Sequence, residues 1–186
     1  MGKRFLILIT LLNMAMLCTI SYHSKYSSHR MYGDNVFEQS YMANMADNTL
    51  CDTTNATWHR IRACIADTAS YTLVLRFTDK CCSSCISSAA RLLNRHAESI
   101  GCSNICIMGY RRNLQLFQKE MEDLKLSHFK CVNIRQLNMP YEELKYPYFF
   151  VMDSALNVSQ LFIPDKQYTT CTQKYLTGIG QYFEDK

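Results

Sequence analysis

The sequence predicts an α/β domain built on a mixed sheet, and three observations lead to this prediction. Short apolar runs of strand length alternate with stretches in which apolar residues recur every three or four positions, as on one face of a helix. Such alternation favours parallel strands joined by crossover helices. The last two strand candidates are separated only by residues 153–157, which predicts an antiparallel hairpin at one edge of the sheet.

Four elements are predicted in the first half of the domain. The run 72–77 is compact and mostly apolar, as expected for a buried strand. Apolar residues then recur at helical spacing over 86–100, and Gly101 is placed to end that helix. The apolar run 105–108 predicts a second strand, and the spacing of apolar residues over 114–124 predicts a second helix.

The second half of the domain is predicted to hold three strands and a helix. The run 129–134 is a third strand candidate, and 148–152 with 158–163 form the hairpin. A final amphipathic helix is expected over 175–183. We therefore expect a mixed sheet with helices on both faces.

Composition and charge exclude several classes of protein. The chain has 186 residues, which suits one domain of ordinary size with a tail. Apolar residues make up 48%, enough for a core, so global disorder is excluded. A net charge of +4 is too small to favour nucleic acid as a partner. The unusual feature is the ten cysteines, which demand an explanation.

The N-terminus has the layout of a secretory signal or a membrane anchor. Lys3 and Arg4 precede an apolar run over 5–20, a predicted helix that is somewhat shorter than the ~20 residues of a comfortable membrane span. A cleaved signal and an uncleaved anchor both remain open, and either would send the rest of the chain across a membrane. The predicted organisation is a signal or anchor at 1–21, a polar stalk at 22–48 and the folded domain at 49–186.

Cys82 and Cys85 form a C-x-x-C pair whose position matters more than its spacing. Ten cysteines make a chance match common, but this pair follows a buried strand and opens an amphipathic helix. Unpaired N–H groups and the helix dipole at a helix N-terminus favour a thiolate. We therefore predict that Cys82 attacks a disulfide and that Cys85, one turn deeper, resolves the resulting mixed disulfide.

A Tyr146-Pro147 pair directly precedes the strand at 148–152. Proline is tolerated at the start of a strand. A cis bond here would be a deliberate feature, whereas a trans proline that merely starts the strand is the commoner case. A turn at this place could face the helix that carries Cys82 and offer backbone groups to an extended substrate, so Tyr146 and Pro147 are predicted to bind substrate.

Taken together, these residues resemble the thioredoxin superfamily, and in particular the redoxin-type, envelope-anchored thiol-disulfide proteins of bacteria. The resemblance covers about 67–186 and rests on 73–77, Cys82-Ser83-Ser84-Cys85, 146–153 and the closing helix. It implies a nucleophilic Cys82, a resolving Cys85 and a cis Pro147. It also implies thiol- or disulfide-containing client proteins, a redox partner protein, no cofactor, and a periplasm-facing position in the cell envelope.

Two residues depart from that family in ways that could modulate the thiols. Arg76 stands in the strand position where thioredoxins place a buried acid, and a cation close to the pair would stabilise a thiolate rather than accept a proton. Cys81 adds a competing thiol beside Cys82. In addition, Ser83-Ser84 replaces the Gly-Pro dipeptide of efficient reductases, and no tryptophan precedes the motif.

Two other functions remain open: a non-catalytic thioredoxin-like adaptor and a metal-handling module. Copper-delivery redoxin-like proteins share the C-x-x-x-C spacing of Cys81 and Cys85, and His128 is the one later histidine. A zinc-ribbon spacing, C-x2-C-x16-C-x3-C, is formed by Cys82, Cys85, Cys102 and Cys106. A long helix fills the gap between its halves, so we predict no metal.

The sequence does not determine how the remaining cysteines pair. Cys106 and Cys131 are predicted to be core residues. Cys51 with Cys64 is a candidate disulfide, and a thiol-rich chain in an oxidising compartment would tend to form such bonds. The cysteines whose pairing stays open are Cys51, Cys64, Cys102, Cys106, Cys131 and Cys171.

Overall fold

The computed structural model describes most of the folded domain. All described residues fall within one unit, Gln39–Lys186. In that part of the chain, none of the helices combines the length and hydrophobicity that a bilayer span requires. The described ranges are 48–49, 59–62, 71–137, 139–143 and 145–184. The predictions for the signal or anchor, for the stalk up to residue 47 and for Cys51 with Cys64 lie outside them.

Within the described residues, six strands form one mixed sheet in the order β1-β6-β5-β2-β3-β4. β2, β3 and β4 run parallel to one another. β5 is antiparallel to both β2 and β6, and β6 is antiparallel to β1. The parallel part and the closing hairpin are therefore confirmed. The bounds are β1 Asn48–Thr49, β2 Tyr71–Phe77, β3 Ile105–Gly109, β4 Lys130–Asn133, β5 Tyr148–Asp153 and β6 Asn157–Phe162.

Three α-helices occupy the positions that the apolar spacing predicts. They are α1 Ser83–Ile100, α2 Leu114–Asp123 and α3 Thr169–Glu184, so α3 begins earlier than predicted. Gly101 ends α1 with a φ of 85°, a conformation that glycine adopts without the steric cost of a Cβ. The described residues also contain two 3-10 helices, Cys102–Asn104 and Pro140–Glu143, and a helical turn at 59–62.

The three α-helices pack on one face of the sheet. Both crossovers progress in the same direction, from β2 to β3 to β4, and crossovers of the same hand leave their helices on the same side. The apolar side chains of this layer include Leu73, Leu75, Ile86, Leu93, Phe117 and Leu176.

The opposite face is covered by shorter segments. Val74, Met108 and Phe150 form a second apolar cluster on that side. Ile61, from a helical turn at 59–62, packs into this cluster, as does Tyr141 from the Pro140–Glu143 helix. The sequence predicts helices on both faces. Within the described residues, all three long helices lie on one face, and only a helical turn and a 3-10 helix cover the other.

Gly109, at the end of β3, is expected to tolerate no side chain. A Cβ there would lie 2.6 Å from ring atoms of both Phe77 and Phe117. We expect Gly109→Ala to lower the free energy of unfolding, measured by urea titration, by about 1–3 kcal/mol, as overpacking in a close-packed core does. Gly178→Ala is the matched control, because Gly178 lies exposed in α3 with nothing within 4 Å of a Cβ. It should stabilise the helix, and a Gly109→Ala variant as stable as the parent would refute the packing argument.

Candidate redox site

The C-x-x-C pair lies at the start of α1, just after the loop that follows β2. Cys82 is the N-cap residue of α1, with an extended backbone (φ −67°, ψ 128°). Its Sγ accepts a hydrogen bond from the backbone N–H of Cys85 at 3.3 Å. Side-chain oxygens usually fill this role at a helix start. Here a sulfur does so, and it receives the N–H donor that a thiolate needs.

The two sulfurs are close but differ in exposure. The Sγ atoms of Cys82 and Cys85 are 2.7 Å apart, and both cysteines are free thiols. Cys82 is partly exposed, whereas only 6% of Cys85 is accessible. Since a disulfide has an S–S distance of about 2.05 Å, the pair can close into one with a small movement.

The environments of the two thiols drive their pKa values apart. The pKa of Cys82 is lowered from 9.0 to about 7, chiefly by the hydrogen bond with Cys85, then by the Ser84 hydroxyl and the Cys85 N–H. The pKa of Cys85 is raised from 9.0 to about 11, first by burial and then by the neighbouring Cys82 sulfur. Near neutral pH, Cys82 is therefore substantially ionised while Cys85 keeps its proton.

Cys81 is directed away from this pair and into the core. Only 9% of it is accessible, and it packs among the apolar residues beneath α1. Its Sγ accepts a hydrogen bond from the Thr78 N–H at 3.3 Å and lies 3.8 Å from the Thr78 hydroxyl. This position does not favour competition with Cys82, and a modulating role for Cys81 remains a prediction.

Arg76 lies on the side of the sheet away from α1, and its effect on the thiols stays a prediction. Successive side chains of a strand point to opposite faces, and Leu75 and Phe77 are the ones that pack beneath α1. Neither thiol pKa shift has Arg76 among its causes. The fully buried guanidinium instead donates to the Glu142 carboxylate at 2.7 and 2.8 Å and to the carbonyls of Met108, Ile134 and Arg135.

Glu142 is the ion-pair partner of Arg76, and the sequence did not predict it. Burial would raise the pKa of this carboxyl, but the hydrogen bonds and charge of Arg76 outweigh burial and lower it. The Tyr148 hydroxyl also donates to Glu142, at 2.7 Å, and burial raises the pKa of that tyrosine. An arginine inside an apolar run signals a buried anion nearby, but the sequence does not identify which acidic residue supplies it.

Tyr146 and Pro147 lie at the end of the sheet where the thiols lie. Arg76 pairs with Tyr148 in antiparallel register, which places Pro147 opposite Phe77, the last residue of β2, where the loop that leads to Cys82 begins. The Tyr146–Pro147 bond is trans, so the cis bond implied by the resemblance is wrong, and the proline directly precedes β5. Pro147 is buried and Tyr146 is 53% exposed. Their role in binding substrate stays a prediction.

A polar cleft of about 260 Å³ lies beside residues 78–80, which precede the cysteine motif in the chain. Charged residues that line the cleft form ion pairs: Lys80 contacts Glu143 at 3.4 Å, and Arg112 lies 3.9 Å from Asp79. The cleft is lined by Thr78, Asp79, Lys80, Tyr110, Arg112, Arg135, Gln136, Glu142 and Glu143, and therefore by none of the three cysteines of the motif.

The described residues contain no group of three or more histidine, cysteine or acidic side chains that could hold a metal ion. The four cysteines of the zinc-ribbon spacing do not come together. Cys85 and Cys102 lie at opposite ends of the 18-residue helix α1, which spans roughly 27 Å. Cys106 is fully buried in β3.

Comparison with known proteins finds weak similarity to solved structures. No protein-family model matches the sequence, and no curated protein matches it. Among solved structures, a thiol:disulfide interchange protein from Bacteroides sp. is 18% identical, with 59% of this chain and 74% of that chain covered and a TM-score of 0.41. The thioredoxin domain of a thiol-disulfide oxidoreductase from Bacteroides vulgatus is 18% identical, with 57% and 79% covered and a TM-score of 0.39. A secreted disulfide oxidoreductase from Mycobacterium tuberculosis is 12% identical, with 73% and 96% covered and a TM-score of 0.40.

Identities and TM-scores this low support no conclusion about this chain. The chain's own topology defines its class: a parallel β2-α1-β3 unit, the antiparallel strands β5 and β6, and a closing α3. This is a thioredoxin-like α/β fold. It carries two neighbouring thiols at the start of its first long helix.

Proposed function

We propose that this protein is a thiol-disulfide oxidoreductase that acts through Cys82 and Cys85. The observation that carries the proposal is the pair of sulfurs 2.7 Å apart at a helix N-terminus. The exposed member has its pKa lowered to about 7, and the buried member has its pKa raised to about 11. A nucleophilic thiolate with a protonated thiol one turn deeper is the arrangement that disulfide exchange requires.

The proposed reaction moves two electrons and needs no cofactor. The Cys82 thiolate attacks one sulfur of a client disulfide, whose bond breaks; the other client sulfur leaves as a thiolate and takes a proton from water. Cys85 then loses its proton and attacks the Cys82 sulfur, which releases the second client thiol. The client disulfide is thereby reduced and Cys82–Cys85 is oxidised to a disulfide. The reverse sequence oxidises a client dithiol.

The substrate we propose is an extended protein segment that carries a disulfide or a thiol pair. Support comes from the partial exposure of Cys82 and from the position of Tyr146 and Pro147 at the same end of the sheet. Tyr146 is among the few large apolar side chains in the described residues that are more than half exposed. It would contact the client while Cys82 attacks.

The second step is expected to be slow near neutral pH. In the described part of the chain, the groups that shift the pKa of Cys85 are Cys82, Ser84 and Lys166, and none is a carboxylate that could take its proton. Arg76 replaces the acid that thioredoxins carry in β2, and it faces the other side of the sheet. A mixed disulfide with a client should therefore persist long enough to be observed.

The test is to trap that intermediate with the full chain. We expect the reduced Cys85→Ser variant, mixed with a disulfide-bonded client protein, to accumulate a covalent mixed disulfide that mass spectrometry maps to Cys82. The variant in which Cys82 is also serine should trap none. Mapping of the bond to another cysteine, or equal trapping without Cys82, would contradict the proposal.

We further propose that the domain works in the cell envelope, facing the periplasm. The basic start and the apolar run over 5–20 support this. A thiol reagent that does not cross membranes should label the domain in intact bacteria, and the double variant Leu8→Arg and Leu12→Arg should lose that labelling. Labelling that requires cell lysis in the unaltered chain would overturn the location and leave the redox chemistry open.

A non-catalytic adaptor is the second candidate. It is favoured by the position of Arg76, which lies on the face of the sheet away from α1. Because the described groups that shift the pKa of Cys85 include no carboxylate, the pair could serve as an inert structural disulfide. The reduction potential separates the two functions, because structural disulfides fall below about −300 mV. A potential in that range, together with no trapped client, would favour the adaptor.

A further inference from the structure

A lysine from the far end of the chain reaches the C-x-x-C motif. Lys166 lies in the connection between β6 and α3, and its Nζ donates a hydrogen bond to the Ser84 hydroxyl oxygen at 3.1 Å. The same oxygen lies 3.1 Å from the Sγ of Cys82. A chain of two contacts therefore joins an ammonium group to the proposed nucleophile.

The direction of these hydrogen bonds follows from what each group can do. An ammonium group only donates, so the Ser84 oxygen must accept from Lys166. The hydroxyl hydrogen of Ser84 is then left for the Cys82 sulfur, which accepts it best as a thiolate. This fits the lowering of the Cys82 pKa by Ser84 and by the Lys166 charge.

Other charged groups around the motif are occupied with one another. Asp79 faces Arg112, and Lys80 contacts Glu143. Asp165, beside Lys166, accepts a hydrogen bond from the backbone of Gln167. Among the lysines and arginines that the structure describes, Lys166 is the one whose charge contributes to the pKa shifts of both thiols, and it lowers the pKa of Cys85 as well.

We propose that Lys166 is a positioning residue that fixes the Ser84 hydroxyl against Cys82 and stabilises negative charge on that sulfur. The inference deepens the proposed function, because its importance for turnover rests on Cys82 being the nucleophile. It also assigns a role to Ser84. The Ser-Ser dipeptide provides an oxygen through which a lysine distant in sequence acts on the site.

The test measures ionisation of Cys82 and does not depend on turnover. In the reduced full chain, the rate of alkylation by iodoacetamide at Cys82 is followed by tandem mass spectrometry from pH 5 to 9. The midpoint is the pH at which the alkylation rate reaches half its maximum. An ammonium within ~6 Å of the sulfur in a solvent-like dielectric is expected to lower this midpoint by about half a pH unit. Lys166→Gln should therefore raise the midpoint by that amount and slow alkylation at pH 6 by about threefold.

Two variants separate charge from structure. Lys166→Arg keeps the charge and should restore most of the parental midpoint. Lys174→Gln removes the charge of an exposed lysine in α3 and should leave the midpoint unchanged. The Lys166→Gln effect should also shrink at high salt, because a partly exposed charge is screened.

Ser84→Ala completes the set, because it removes the oxygen between Lys166 and Cys82. We expect Ser84→Ala to raise the midpoint and to weaken the additional effect of Lys166→Gln in the double variant. An unshifted midpoint in Lys166→Gln, or an equal shift in Lys174→Gln, would overturn the inference. Neither outcome bears on client trapping by Cys85→Ser, so the two proposals can fail separately.

Discussion

Cys82→Ser will reduce the rate of disulfide exchange by at least about 10³-fold, because it removes the group proposed to carry the reaction. A serine hydroxyl stays protonated near neutral pH, whereas the Cys82 thiol has a pKa of about 7 instead of 9.0. The parental rate should therefore rise with pH, reach half its maximum at about pH 7 and level off above it. The measurement is the rate constant for the first step with a small-molecule disulfide, from pH 5 to 9.

Cys102→Ser is the matched control for this prediction. Cys102 is an exposed thiol just beyond the other end of α1, so its loss removes one reactive sulfur without touching the proposed site. We expect this variant to keep the parental rate and the parental pH midpoint. If Cys102→Ser loses as much activity as Cys82→Ser, or if the midpoint lies near 9, Cys82 is not the nucleophile.

The strands and helices could be predicted because each depends on local patterns. The run 72–77 is mostly apolar, since β2 lies in the centre of the sheet and is buried on both faces. The apolar positions of α1 recur at helical spacing because only one stripe of this helix is buried. The C-x-x-C pair was visible for the same reason, since two residues one turn apart need no long-range information to be placed together.

The contacts that surround the thiols could not be predicted in this way. Lys166 reaches Ser84 from 82 positions away in the sequence, and only the folded chain brings them together. Arg76 shows a second limit. Comparison with thioredoxins placed it in the right strand, but strand alternation turns its side chain to the face opposite α1. The peptide bond before Pro147 shows a third limit of prediction from the sequence, since a motif does not determine whether a peptide bond is cis or trans.

Glu142→Gln is the substitution expected to destabilise the fold most. Arg76 is completely buried, and the side chain of Glu142 is 9% accessible. Removing the carboxylate charge leaves a buried guanidinium without its counter-ion, which typically costs about 3–5 kcal/mol. Glutamine keeps some of the hydrogen bonds, so we expect a loss of about 3 kcal/mol in the free energy of unfolding, measured by urea titration at pH 7.

The same carboxylate makes part of the stability depend on pH. The pKa of Glu142 in the folded chain lies below its ordinary value of 4.5, because Arg76 outweighs burial. Its contribution is therefore fully present above pH 4.5 and is lost as the pH falls through the lower folded pKa. Over this acidic range the parent should lose more stability than Glu142→Gln does. The difference in free energy of unfolding between the parent and the variant should therefore become smaller on acidification.

The neighbouring residue provides a control for the buried pair. Glu143 follows Glu142 in the same 3-10 helix and contacts Lys80, but 86% of the Glu143 side chain and 55% of the Lys80 side chain are exposed. Exposed ion pairs contribute at most about 1 kcal/mol, so Glu143→Gln should change stability little and should keep the parental pH dependence. Equal losses in the two glutamine variants would mean that the buried Arg76–Glu142 pair contributes no more to stability than an exposed ion pair does.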